Sequence, residues 1–274
     1  KMLLSAVLYF SNQWSLCMYI SNFRLFASVL STSCMLSTLV LAADSSASSD
    51  PNAPVTRSQL PGLVKEILLN DPSIIMEAAE KMQAEQEKEM MDKAKEVIAK
   101  RKDELFGVND PSAGNQKADV TLVEFFDYHC GYCKQALASI IKLMENDKNV
   151  KVIFKEYPIL GEESKLAAKA ALAVHRIAKD KYFDYHKAIF ALKGSFTQEI
   201  LAAEAKKLGI DAAKLKAEMD KPEINEILAK NSELGLAMGA RGTPAIVIGE
   251  EFYPGAIPYE AMKKAVDDIR AKKK

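Results

Sequence analysis

Histidine and cysteine are scarce in this chain of 274 residues, with three of the first and four of the second, and tryptophan occurs once. Four cysteines are too few for a disulfide-stapled scaffold, and three histidines are too few for paired zinc-finger spacings. An excess of either charge is also missing: Lys plus Arg and Asp plus Glu both total 37, so the net charge is zero. A balanced chain has no basic field to hold nucleic acid, which excludes that class of partner. What remains is ordinary globular material, 49% hydrophobic and 27% charged, enough for one large domain or two small ones. Its chemistry must therefore run on few residues.

The first 43 residues read as a signal peptide. From Leu25 to Leu41 the chain carries no charge, Arg24 precedes it, and the small residues Ala42 and Ala43 follow as a cleavage site. Met18 is the expected start, because the segment from Lys1 to Cys17 adds a second semi-apolar run ahead of it. A membrane anchor is the competing reading, but Ser and Thr dilute a run shorter than the roughly 20 apolar residues a span needs. A lipidated Cys34 is disfavoured, since Ser31 to Ser33 lack the Leu a lipoprotein signal places there. Removing the signal takes Cys17, Cys34 and Trp14 with it and leaves Cys130 and Cys133 as the only cysteines. One isolated Cys-x-x-Cys pair is no disulfide framework and lacks the second ligand pair of a structural zinc site, so no metal is expected.

Residues 44–57, rich in Ser, Ala, Pro and Asp, read as a flexible spacer. Residues 58–106 form an expected helical arm. Leu60, Leu63, Val64, Ile67 and Leu68 share one face, Asp71 and Pro72 start a new helix, and neither Gly nor Pro interrupts the chain from there to Leu105, a helix of roughly 50 Å. Its stripe of Ile75, Ala79, Met82, Met90, Ala94 and Val97 is narrow, and seven positive and seven negative residues lie between Lys81 and Glu104. A solvated surface helix would satisfy this pattern, with Glu89/Lys93 and Glu96/Lys100 as supporting pairs. Pairing between the arms of two or more copies accounts better for the strongly amphipathic Leu60–Ile75 portion.

Residues 107–118, with Gly, Asn, Pro and Asp, read as a hinge into a domain at 119–274. That domain opens with the apolar run Val120–Phe126, of strand length, followed by Asp127-Tyr128-His129 and the Cys pair. Helical spacing follows through Ala136, Leu137, Ile140, Ile141 and Met144. A second strand at Lys151–Glu156 is closed by Pro158 and Gly161. The block at about 162–238 is Ala-rich and helical, broken at Gly194, Gly209 and Pro222. A hairpin over Pro244–Tyr253 and a helix over Pro258–Arg270 end the chain. This order predicts an α/β, thioredoxin-like fold with a helical insertion.

Cys130-Gly131-Tyr132-Cys133 thus falls at a strand-to-helix junction. Free backbone amides and the helix dipole favour an anion there, so Cys130 is the expected nucleophile and leaving group. Cys133, one turn on, would resolve a mixed disulfide by attacking Cys130. An inert permanent disulfide is the bland alternative, disfavoured because this spacing makes a small, exchangeable ring. His129 could add charge beside Cys130, though an exposed neighbouring His is often incidental.

The run from Glu124 to Lys134, with Cys130-Gly131-Tyr132-Cys133 at its centre, together with Gly242-Thr243-Pro244, resembles the DsbA-type thioredoxin-fold disulfide oxidoreductases of the bacterial periplasm. The likeness covers about Asp119 to Ile269, with two separate motifs in order around a helical insertion. It implies a cis Pro244 against the disulfide, and a Thr243 whose backbone binds an extended substrate peptide by strand addition. It implies that Glu124 is a buried acid moving protons to and from Cys133; a lone Glu in an apolar strand otherwise needs a surface salt bridge. It also implies that the redox-active disulfide is the only redox group, with no cofactor.

Three departures from the oxidase pattern point one way. Gly131-Tyr132 stands where strong oxidases carry Pro-His and is similar to the DsbC isomerases, as is Thr243. The helical arm resembles the oligomerising arms of dimeric or trimeric DsbA-like proteins, including a surface-antigen branch from intracellular pathogens. The expected protein is an exported, periplasmic homodimer or homotrimer, with surface or outer-membrane association as a variant. It would isomerise disulfides, with some oxidation, in unfolded or misoxidised secreted proteins and be served by a DsbD-like reductase or DsbB-like oxidase in the membrane. A plain oxidase is the first alternative, and a chaperone or surface protein using the peptide groove is the second.

Overall fold

The computed structural model describes residues 54–273. The expected signal peptide, most of the spacer, Cys17, Cys34 and Trp14 lie outside them. Residues 61–274 form one compact unit.

A five-stranded sheet forms the centre, in the order β1-β3-β2-β4-β5. β2 (Val120–Phe126) and β3 (Val150–Glu156) pair in parallel, so α4 (Gly131–Asn146) serves as their crossover. β4 (Ala245–Ile248) and β5 (Glu251–Tyr253) make the hairpin, and β4 runs antiparallel to β2. β1 (Ser112–Gly114) adds antiparallel to the outer side of β3, within the stretch expected to be only a hinge. Gly114 has φ +80°, and a Cβ there would stand 2.5 Å from the Val150 carbonyl oxygen. No other residue fits without displacing that backbone.

Both faces of the sheet are covered, which is why β2 reads as a nearly continuous apolar run rather than an alternating one. Leu122, Phe126, Val152 and Phe154 face α4, α10 (Tyr259–Lys272) and the insertion. Val123, Phe125 and Ile153 face the opposite way, against Leu234, Met238, Ala94, Ile98 and Leu105. The insertion comprises α5 (Glu162–Ile177), a 3₁₀ turn at Lys179–Lys181, α6 (Tyr182–Ala191), α7 (Gln198–Lys207), α8 (Ala212–Met219) and α9 (Pro222–Ala237). Its breaks fall at Gly194 and Gly209, both with positive φ, and at Pro222 in the first turn of α9. The break at 178–181 contains neither Gly nor Pro, so composition does not reveal it. In α5 the residues Ala167, Ala168, Ala170, Ala171 and Ala173 are buried, and their small side chains let the neighbouring helices approach closely.

The arm is α1 (Leu60–Asn70), α2 (Ser73–Lys100) and α3 (Lys102–Leu105). Pro72, rather than the expected Asp71, is the N-cap residue of α2, and Asp71 just ahead of it accepts from the Ser73 amide through Oδ1 at 3.1 Å. The expected unbroken helix to Leu105 stops at Arg101, which has φ −119° and whose guanidinium bonds Glu104 and Glu233 at 2.7 Å each. That break turns Leu105 and Phe106 into the second core. The two ends of the arm differ. Ala94 and Ile98 are buried against the sheet, whereas Leu63, Val64, Ile67, Ile75 and Met82 are exposed on the single chain.

Candidate active site

The site is built where β2 ends. Cys130 is the N-cap residue of α4, in extended conformation, and its carbonyl accepts the first helical amide, that of Lys134, at 3.2 Å. Asp127 shapes the approach. Its carbonyl accepts from the Cys130 amide at 3.1 Å, and its buried carboxylate accepts from the His129 amide at 2.8 Å, the Leu160 amide at 2.9 Å and the Ser164 hydroxyl at 2.7 Å. One carboxylate therefore ties the cysteine turn to the loop after β3 and to the start of α5. Sequence reasoning passed over Asp127, although an Asp at a strand end before a turn is a known turn-forming signal.

The register Phe125↔Ala245 sets the start of β4 beside the end of β2. The Thr243–Pro244 peptide bond just ahead of β4 is cis, and the Thr243 carbonyl accepts a hydrogen bond from Cys130 Sγ at 3.1 Å. The two motifs, separated by more than a hundred residues, thus meet at one sulfur. Both cysteines are free thiols; Cys130 is 9% exposed and Cys133 not at all. Burial, reinforced by the nearby Glu124, pushes the Cys133 thiol far up. Tyr132 projects outward, 67% exposed, and a Cβ on Gly131 would meet nothing within 4 Å, so open space rather than steric need surrounds that dipeptide.

Glu124 lies on the face of β2 shared with Leu122 and Phe126, fully buried, and neither carboxyl oxygen has a hydrogen-bond partner. Burial, and then the neighbouring Cys130, holds its carboxyl well above the usual range. The neutral form is the one such a site tolerates. The folded chain consequently binds this proton more tightly than the unfolded chain does, so stability falls as pH rises from the unfolded value, about 4.3, toward the folded one. Glu124→Gln should raise the melting temperature relative to wild type, by more at pH 8 than at pH 4. Equal melting temperatures at both pH values would refute the raised carboxyl.

His129 points toward the insertion. Its ring stacks on Phe196 at 4.2 Å between centroids, and Nε2 lies 3.3 Å from Glu163. Beneath the cysteine turn sits a cluster that the sequence did not suggest. The Tyr128 hydroxyl is 3.2 Å from Glu156 Oε1 and 3.0 Å from His186 Nδ1, and the Tyr182 hydroxyl is 3.3 Å from Glu156 Oε1. Among the described residues no group of three or more His, Cys, Asp or Glu is placed to hold a metal.

Such an arrangement can exchange disulfides. An accessible sulfur at a helix start can be attacked, a shielded sulfur one turn away can leave or resolve, and a buried acid can supply or accept the proton. Comparison with known proteins agrees. Residues 121–267 match the model of the DSBA-like thioredoxin domain. The disulfide bond formation protein D of Bacillus subtilis is 29% identical over 167 residues, which is 57% of this chain and 75% of that protein. Among solved structures, the thiol-disulfide exchange protein alpha-DsbA2 from Wolbachia pipientis is 36% identical, with TM-score 0.61, over 64% of this chain and 95% of that one. ScsC of Proteus mirabilis is 29% identical, with TM-score 0.60, over 78% of this chain and 97% of that one. With the family model spanning more than half the chain, and the cysteine pair and cis-proline loop meeting as described, this protein belongs to the DsbA-like thioredoxin-fold family of thiol-disulfide oxidoreductases, whose redox group is the cysteine pair itself.

Proposed function

We propose that the chain is an exported, oligomeric disulfide oxidoreductase that isomerises disulfides, with some oxidation, in secreted proteins. The observation that carries this reading is the meeting of Cys130 Sγ with the Thr243 carbonyl beside cis-Pro244, above the unpartnered Glu124. In the donating direction a substrate thiolate attacks Cys130 Sγ, and the Cys130–Cys133 bond breaks. Its electron pair leaves on Cys133, which takes the proton of the Glu124 carboxyl. Isomerisation starts from the reduced pair: Cys130 attacks a wrong substrate disulfide and forms a mixed disulfide, the released substrate thiolate attacks a second substrate disulfide, and the thiolate freed there attacks the mixed disulfide, so that Cys130 leaves as the thiolate it began as. The Thr243-Pro244 segment, just ahead of β4, suits an added substrate strand. His129 is a weaker candidate for tuning Cys130, because Glu163 and Phe196 engage it.

The arm supports oligomerisation through the exposed stripe on α1 and the first turns of α2. The alignment to ScsC also extends past its catalytic domain, which alone covers 64% of this chain, to 78% for the longer protein. A periplasmic location with a membrane redox partner fits the predicted signal, and no described helix is long and apolar enough to cross a membrane. Deleting residues 44–88 keeps the buried Ala94–Leu105 segment and removes the stripe. The truncated protein should sediment as a monomer, lose reactivation of scrambled ribonuclease, and gain dithiol oxidation. An unchanged oligomer would overturn the role of the arm. A plain oxidase is the second reading, favoured by the Bacillus subtilis relative, whose name is disulfide bond formation protein D. Acid quenching and thiol alkylation in cells separates them: a mostly oxidised pair supports the oxidase, a mostly reduced one the isomerase.

A further inference from the structure

Glu156 is the second carboxyl under the redox pair, and the scheme above does not use it. It ends β3, and the parallel register sets Glu124 opposite Phe154 and Phe126 opposite Glu156. Residues 122, 124 and 126 of β2 and 152, 154 and 156 of β3 share one face, the face that also buries Cys133. Glu156 is fully buried, its Oε2 has no hydrogen-bond partner, and its backbone carbonyl accepts from Asn231 Nδ2 at 3.1 Å.

Counting protons decides its state. Tyr128 has one hydroxyl proton and two polar neighbours, Glu156 Oε1 at 3.2 Å and His186 Nδ1 at 3.0 Å, so one neighbour must donate to it. Either His186 donates from Nδ1 and Tyr128 donates to a Glu156 carboxylate, or a Glu156 carboxylic acid donates to Tyr128, which donates to His186. A carboxylate draws hydroxyl donors to roughly 2.5–2.7 Å. The contacts from Tyr128 and Tyr182, at 3.2 and 3.3 Å, lie well outside that range. The surroundings agree. The titratable groups facing Glu156 are Glu124 and Asp127 from β2 and its end, Tyr128 from the turn, and Tyr182 and His186 from α6. No cation among the described residues pairs with Glu156; Lys155, beside it in sequence, bonds Asp110 at 2.6 Å. Burial, opposed in part by the hydroxyls of Tyr128 and Tyr182 and reinforced by the neighbouring Asp127 and Glu124, holds the Glu156 carboxyl well above its ordinary range, while burial lowers His186 to about 3.

We propose that Glu156 is a positioning residue for disulfide exchange: it keeps its proton, donates through Tyr128 to His186, and by staying neutral leaves Glu124 free to exchange a proton with Cys133. The inference rests on the proton role of Glu124. When Cys133 takes that proton a carboxylate is left at Glu124, and a second charge at Glu156 on the same buried face would oppose it.

The test compares wild type, Glu156→Gln, Tyr128→Phe and Glu124→Gln as full chains in the reduced form. In the infrared spectrum at neutral pH, Glu156→Gln should remove one carboxylic-acid C=O band, and Tyr128→Phe should keep that band and shift it. In the pH profile of the exchange rate across roughly pH 6 to 10, the alkaline fall of wild type should be lost in Glu156→Gln. An unchanged band pattern in Glu156→Gln, or an alkaline limb that survives in it, overturns the proposal. If Glu156→Gln does not fold, the band shift in Tyr128→Phe decides, and its absence counts against the acid. Glu124→Gln separates the two readings: an unaltered profile there refutes the Glu124 role, whatever the Glu156 band shows.

Discussion

Cys130→Ser should reduce disulfide exchange to the uncatalysed background, the largest functional effect expected of any single change in this chain. A serine hydroxyl forms no bond to a substrate sulfur, and Cys133, fully buried with its thiol pushed up, cannot replace it as the attacking group. Cys133→Ser should behave differently. Cys130 still attacks there but is not resolved, so mixed disulfides accumulate and appear as reducible high-mass bands on a gel. Insulin reduction followed by turbidity reads the first outcome. Full turnover in the Cys130→Ser protein would sink the redox assignment and favour a peptide-binding role.

The largest loss of stability is expected at the wall of the same site. Phe126 is fully buried and packs edge-on against Tyr128 at 5.1 Å, Phe154 at 6.2 Å and His186 at 4.8 Å, with Phe190 tilted at 5.7 Å. Phe126→Ala removes the common neighbour of four rings drawn from β3, α6 and the cysteine turn. The surrounding elements are pinned by the sheet and cannot close the gap, so the cost should reach about 3–5 kcal/mol in urea unfolding. A loss below about 1 kcal/mol would mean the rings repack freely and that this wall is softer than its contacts indicate.

Phe126 also shows what sequence alone reveals. Its run from Val120 reads as a buried strand because it is short, apolar and followed by a turn, and the helical spacing after Cys133 reads equally well. Those two signals placed the cysteine pair correctly at a helix start. The hinge reading of 107–118 met Gly, Asn and Pro and so missed β1, whose three residues are too few to carry a period. Arg101 ends α2 through ion pairs to Glu104 and Glu233, the second of which lies far along the chain, so no local pattern announces it. The burial of Glu124 was legible as an acid in an apolar strand, yet the same argument applied to Glu156 was not visible. Lys155 precedes it and suggests a solvated strand end, whereas the structure turns Lys155 inward toward Asp110. The Tyr128–Glu156–His186 cluster joins three segments through tertiary folding, and nothing in their spacing brings them together.

The two borders of the sheet also bear on aggregation. β1 closes one border and β5 the other, and each is three residues long. Long open borders are templates onto which extended polypeptides add and aggregate. Here so little unpaired backbone is on offer that a client gains almost nothing by adhering there. Neither rim is long enough to seed the growth of a fibre.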